Sequence, residues 1–167
     1  MALLVLDVTP KAMRRLVNSC NNVSTVETIR NLYRNLPQDT RNKEFNKGLN
    51  KNEKEMLNNL GKGFINCDTS FLYKVIRHHQ LVPSPTHGWS GKVDQIKNYG
   101  DLVETLRQIR NLVVHLPNIR LAEDELCNLK TNIFQTIATV SILCENEENL
   151  IGEMKSHIEW PRSNRLA

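Results

Sequence analysis

An arginine, an asparagine and a histidine stand close together at Arg110, Asn111 and His115, inside the stretch YGDLVETLRQIRNLVVHLPN that runs from Tyr99 to Asn118. An imidazole titrates near neutrality and can move a proton at physiological pH. A guanidinium presents planar donors suited to a phosphate and to charge that builds up in a transition state. Placed on a helix of about 100° per residue, Glu104, Arg107, Gln108, Asn111 and His115 fall within a sector of roughly 100°, with Asn111 and His115 stacked at i, i+4. Arg110 lies on the border of that face, about 140° from His115, so its side chain must swing round, or the last turn must loosen before Pro117, for the two to act together. The same types also suit a structural role, because Arg and His near a helix C-terminus favour the dipole and cap the last carbonyls.

A helix must position this hexad. Gly100 and Asp101 read as its approach and N-cap, and Leu116-Pro117-Asn118 as its end. Leu102, Leu106, Ile109 and Val113 then form the core side, with Leu112 and Leu116 at its flank. Upstream, Thr9-Pro10 has the form of a cap followed by proline at the first helical position, predicting a short helix over Lys11 to Cys20 with Met13, Leu16 and Val17 inward. Ser24 and Glu27 have capping-box spacing, and Val26, Ile29, Leu32, Tyr33 and Leu36 repeat helically up to Pro37. The polar run to Gly48, anchored only by Phe45, reads as a short helix or loop, and another helix follows from about Asn52 to Leu60, closed by Gly61 and Gly63. Asp68 caps DTSFLYKVIRHHQ, in which Phe71, Leu72, Val75 and Ile76 make a core stripe and His78 and His79 end the helix as dipole partners or ligands.

Leu81 to Asn98 is a long irregular segment, with two prolines, two glycines and Trp89 to pin it to the body. His87 lies in it. After the hexad, Ala122 to Glu125 place carboxylates in a first turn, and Leu126, Leu129, Ile133, Phe134, Ile137, Val140, Ile142 and Leu143 predict a long buried helix antiparallel to the one before. Asn149 to Ile158 reads as a last helix, stopped by Trp160-Pro161. Strand signals are nearly absent, and the expected architecture is an all-α bundle in one domain over residues 1–160 with a polar tail over 161–167.

Composition narrows the function. Of 167 residues, 40% are hydrophobic and 24% charged, as in a globular chain rather than a disordered one. Apolar runs such as Ala2 to Leu6 and Ile137 to Cys144 are too short to span a bilayer, and the apolar N-terminus lacks a basic region before it, so no membrane association and an intracellular, cytoplasmic location are expected. Cys20, Cys67, Cys127 and Cys144 show neither CxxC nor zinc-like spacing to histidine and read as small buried hydrophobes, with no metal or other cofactor expected. Net charge is only +4, yet residues 1–120 hold most of the lysines and arginines while residues 121–159 carry 2 basic against 8 acidic side chains. That polarity suits a phosphate-bearing partner or head-to-tail attraction between subunits.

Taken together, FLYKVIRHHQ, the Gly88-Trp89 loop, and DLVETLRQIRNLVVH followed by a long helix resemble the HEPN superfamily. The upstream GLNKNEKEML and the Gly-Trp loop are most similar to the HEPN branch named after the DAZ-interacting zinc-finger ubiquitin ligase. The similarity covers Leu32 to Leu150, and the motif of Arg, a polar residue, three variable positions and His is met by Arg110, Asn111 and His115. Leu112 to Val114 departs from it in being wholly apolar where related sequences often carry a polar residue. The resemblance implies a HEPN-like bundle of four to five main helices, here with additional short N-terminal helices, that forms a homodimer bringing two motifs together. It also implies a composite, metal-independent endoribonuclease site acting on single-stranded RNA and leaving 2′,3′-cyclic phosphate ends, with His115 as general acid or base, Arg110 as phosphate clamp and Asn111 as orienting group. The alternative within the same family is a non-catalytic dimerisation and interaction module of a larger signalling or immunity protein.

Overall fold

The apolar residues of the first segment repeat at helical spacing straight through a proline. In the computed structural model, which describes residues 2–20, 29, 40–60, 64–116 and 120–144, helix α1 therefore runs unbroken over Ala2–Cys20 with Pro10 inside it. Val5, Val8, Ala12, Met13, Leu16 and Val17 are all buried. Burying Val5 and Val8 contributes about 1.5–3 kcal/mol each, enough to offset the roughly 3 kcal/mol that an interior proline costs a helix. The expected start at Thr9-Pro10 is thus corrected. Thr9 is not a cap: its hydroxyl lies 2.6 Å from the Val5 carbonyl, to which it donates, and 2.7 Å from the Thr69 hydroxyl.

Five further helices are described: α2 (Thr40–Lys47), α3 (Lys51–Asn58), α4 (Thr69–His79), α5 (Tyr99–His115) and α6 (Glu123–Leu143). The architecture is all-α, as expected. The helix expected between Ser24 and Leu36 lies outside the described residues apart from the buried Ile29, and the one over Asn149 to Ile158, the Gly61 and Gly63 closure, Pro117 and the C-terminal tail also lie outside them.

Local chemistry explains most helix starts. Asn50 accepts from the Glu53 N–H at 2.9 Å while the Glu53 carboxylate accepts from the Asn50 N–H at 2.8 Å, a closed capping box. Glu53 also takes the Lys74 ammonium at 2.8 Å, tying α3 to α4. Asp68 caps α4 as expected, accepting from the Phe71 N–H at 2.8 Å, and the helix stops where Gln80 turns left-handed at φ 53°. α5 departs from expectation: its N-cap is Asn98, and Asp101 is the third helical residue of a second capping box.

Packing puts α1 and α5 at the centre, since α1 lies against α4, α5 and α6, and α5 against α1, α4 and α6. Phe64, Phe71, Met13, Leu16, Leu102 and Leu106 fill the space between them. α5 and α6 are antiparallel, for Tyr99 at the start of α5 donates to the Leu143 carbonyl at the end of α6, 3.5 Å away. Two expectations for α6 fail. Ile142 and Leu143 are 76% and 45% exposed rather than buried, and Leu126 and Phe134 are only half-buried. Among the cysteines Cys67 and Cys144 are buried, but Cys20 and Cys127 are exposed. Burial pushes the Cys67 thiol up to about 12, so it is an inert hydrophobe. No described helix is long and apolar enough to cross a membrane.

Gly100 is where the 81–98 loop crosses the first turn of α5, and a β-carbon there would sit 2.1 Å from the Pro83 carbonyl oxygen and 2.7 Å from the Pro85 nitrogen. Backbone cannot rotate aside as a side chain can. Gly100→Ala is therefore expected to lower stability by about 1–3 kcal/mol, read as a lower urea midpoint at unchanged slope; an unchanged midpoint would show that the crossing relaxes freely.

Candidate functional site at the open end of α5

Two carboxylates in the first half of α5 bind the long loop. Asp101 is 1% exposed and accepts from the Thr86 N–H at 2.7 Å, the Thr86 hydroxyl at 2.8 Å, the Lys97 N–H at 2.9 Å and the Asn98 N–H at 3.2 Å. Burial alone would raise its carboxyl, but the hydrogen bonds from Thr86, Lys97 and Asn98 outweigh that and hold it below the usual carboxylate value. Glu104 is 0% exposed and receives the Tyr73 hydroxyl at 2.8 Å, the Ser90 N–H at 3.2 Å, the Arg107 Nε at 2.7 Å and also Arg107 Nη2. Burial pushes the Tyr73 phenol above its ordinary value; Ser90 opposes this and Glu104 adds to it, so the phenol remains a donor.

An aromatic and cationic layer lies over Glu104. Trp89 sets its edge against the Tyr73 ring with centroids 5.6 Å apart, and the Arg107 guanidinium lies 5.1 Å over the same ring. Gln108 donates to the Gly91 carbonyl at 2.9 Å, so one more side chain of α5 holds the loop. Trp89 pins the loop as the sequence predicts. Of Glu104, Arg107 and Gln108, placed by spacing on the open polar face, Glu104 is instead fully buried and the other two are half-buried against the loop.

Beyond Gln108 the helix emerges. Arg110 and Asn111 are half-buried and brought together, with Arg110 Nη1 donating to Asn111 Oδ1 at 3.1 Å. His115 is exposed one turn beyond Asn111 and makes no hydrogen bond to either of them among the described residues. The last turn does not loosen, since Leu116 keeps φ −52° and ψ −37° and its N–H tightens back onto the Val113 carbonyl. Leu112 and Val114, 40% and 37% exposed, flank the Asn111–His115 stripe on its two sides.

The other histidines are placed elsewhere. His78 stacks on Phe45 with centroids 4.4 Å apart, and His79 sets an edge against both rings, so the pair joins α4 to α2 as an aromatic cluster. His87 is exposed on the loop. Among the described residues no group of three or more His, Cys, Asp or Glu side chains could hold a metal ion.

The Asp101 geometry fixes a sign for acid stability. A carboxyl whose folded value lies below the unfolded one, about 3.9, contributes stability that is complete above the unfolded value and is lost as pH falls through the folded one. Melting temperature should thus fall progressively below about pH 4, and Asp101→Asn should start lower at neutral pH but show a flatter acid limb. Parallel acid limbs for the two proteins would rule out this residue as a source. Comparison with protein-family models, curated proteins and solved structures gives no match to this chain.

Proposed function

We propose that this chain is a HEPN-type RNA-binding and RNA-processing domain, a metal-independent endoribonuclease whose site is completed across a homodimer. The observation that carries the reading is the open end of α5: an exposed imidazole, an asparagine one turn back that holds a guanidinium, and two exposed apolar residues beside them. RNA brings its own nucleophile. The 2′-hydroxyl loses its proton as its oxygen bonds to phosphorus, the bond from phosphorus to the 5′ oxygen breaks, and that oxygen takes up a proton. The products are a 2′,3′-cyclic phosphate and a 5′-hydroxyl.

This chemistry needs a proton acceptor, a proton donor and a cation for the charge on the phosphoryl oxygens. One chain offers a single motif imidazole and a guanidinium on a different side of the helix; two copies facing each other offer an acceptor, a donor and two guanidiniums. Asn111, expected to orient the imidazole or the substrate, instead accepts from Arg110 and holds that guanidinium in place.

Purified protein should cleave single-stranded RNA in EDTA, and His115→Ala should reduce the rate at least about 100-fold, the lower range for loss of an acid–base group. Undiminished cleavage by the variant would remove His115 from the mechanism.

A second reading has its own observation. The residues between Asn111 and His115 are apolar, and two of the three are exposed, which suits a contact surface in a non-catalytic dimerisation module of a larger signalling or immunity protein. Both readings need the dimer. Sedimentation should give about twice the 19.2 kDa chain mass, and Leu112→Asp with Val114→Asp should return it to the chain mass. A strict monomer at high concentration would count against both, whereas a dimer that leaves RNA intact would favour the module.

A further inference from the structure

A groove of about 570 Å³ lies between α5, α6 and residues 93–96 of the loop; of the loop clamp only Gln108 lines it, and the Arg110–Asn111 pair does not. Ile109, Leu112 and Leu129 give it aliphatic walls, and the Leu112 and Ile96 side chains remain exposed along it. Its polar groups are carboxamides and hydroxyls. Gln95, Asn132 and Gln135 direct no side-chain amide into a hydrogen bond among the described residues, and Gln108, whose nitrogen is committed to Gly91, keeps its amide oxygen available. Thr105, Thr136 and Thr139 each spend their proton on the carbonyl four residues back, at 2.8 Å, so each hydroxyl oxygen is left as an acceptor.

Charge is missing from this surface. From Thr131 to its end at Leu143 α6 carries no acidic or basic side chain, although Gln135 and Ile142 face outward. Asp94, the one acidic side chain among the described lining residues, is paired with Lys92 at 3.2 Å. Such a groove offers an anion nothing. It suits a flat neutral group with mixed donors and acceptors on its edge, held between aliphatic walls, and its volume is in the range of small-ligand pockets.

Helix geometry connects it to the open end of α5. Thr105, Gln108 and Leu112 line the groove, and His115 continues the same stripe, one turn or about 4.5 Å beyond Leu112 along the axis. A base seated at the Leu112 end of the groove would lie about one turn from the imidazole along the axis.

We infer that the groove between α5 and α6 seats one unpaired nucleobase of an RNA strand, its edge read by the Asn132 and Gln135 carboxamides and its ring held against Leu112 and Leu129. The inference deepens the RNA-processing reading and rests on it for the identity of the strand. Carboxamides pair bidentately with base edges, and unpaired bases are the part of RNA most open to such reading.

The test follows the side-chain amide resonances of Asn132 and Gln135 in the full chain during titration with the four free nucleosides, with inorganic phosphate and with an uncharged N-acetyl dipeptide amide. Nucleosides should shift these resonances saturably and phosphate should not. Gln135→Leu, at an exposed position, should weaken the nucleoside response and raise the Kd for a single-stranded ten-nucleotide RNA at least about fivefold. Nucleoside binding without RNA binding or cleavage would keep the groove and overturn the RNA-processing reading. RNA cleavage with no nucleoside shift and an unchanged Kd in Gln135→Leu would do the reverse. Shifts produced by the dipeptide in place of the nucleosides would assign the groove to polypeptide and overturn the proposal.

Discussion

Glu104 is an ionisable carboxyl with no exposed surface, set two residues from Leu102 and two from Leu106 of the main core. A charge in that position is tolerable only when its lone pairs are filled, because desolvating an unpaired carboxylate costs several kcal/mol. Four groups from three parts of the chain fill them: Tyr73 from α4, the Ser90 backbone from the loop, and Arg107 with Gln108 from α5 itself. Asp101 does the same one turn earlier with backbone and side-chain donors from residues 86–98. The loop has no helical ladder of its own there, so these carboxylates satisfy N–H groups that would otherwise need water. Fold and loop are therefore one unit, and neither carboxylate is free to serve as a catalytic acid or base.

That constraint divides α5 in two. Its first half is covered on nearly every side, by α1 and α4 at the core face and by the loop on the face that periodicity marks as polar. Its second half emerges from under the loop after Gln108. Leu112, Val114 and His115 are then the exposed residues of this helix, and two of the three are apolar. The helix end thus shows aliphatic side chains beside an imidazole and an amide, the mixed surface on which the dimer proposal rests.

What could be read from the chain was what local chemistry decides. Asp68 before a Phe-Leu-Val-Ile stripe gave α4 its start and its buried face, and the i, i+3, i+4 pattern of Leu102, Leu106, Ile109 and Val113 gave α5 its core side. Thr9-Pro10 misled because a proline at a first helical position and a proline inside a buried helix look alike locally; the burial of Val5 and Val8 against the rest of the bundle decides between them. Asn98 and Asp101 are both good caps three residues apart, and the one that became N3 did so because the loop needed its carboxylate. Glu104 was illegible for the same kind of reason. A carboxylate at a polar helical position is solvated unless a distant segment covers it, and the Ser90 amide that does so lies fourteen residues away. Ile142 and Leu143 continued an apolar rhythm that the neighbouring helices do not extend to cover.

The geometry of the last turn bears on how the motif could act. Because Leu116 stays helical and its N–H closes tighter rather than opening, the angle of about 140° between Arg110 and His115 is retained, and Arg110 is turned toward Asn111. Within one chain, then, the guanidinium and the imidazole address different sides of α5. A phosphate held by Arg110 of one chain would reach an imidazole most directly if a second copy presented its own α5 end across from it, and the aliphatic residues on each side of the Asn111–His115 stripe supply the surface for such an approach. The groove fits this division of labour. It lies on the His115 side of the helix, Asp94 in its lining is paired with Lys92, and Asn132 and Gln135 line it with amides. Arg110, with its guanidinium on Asn111, stands on one side of this helix end, while His115 and the groove share another.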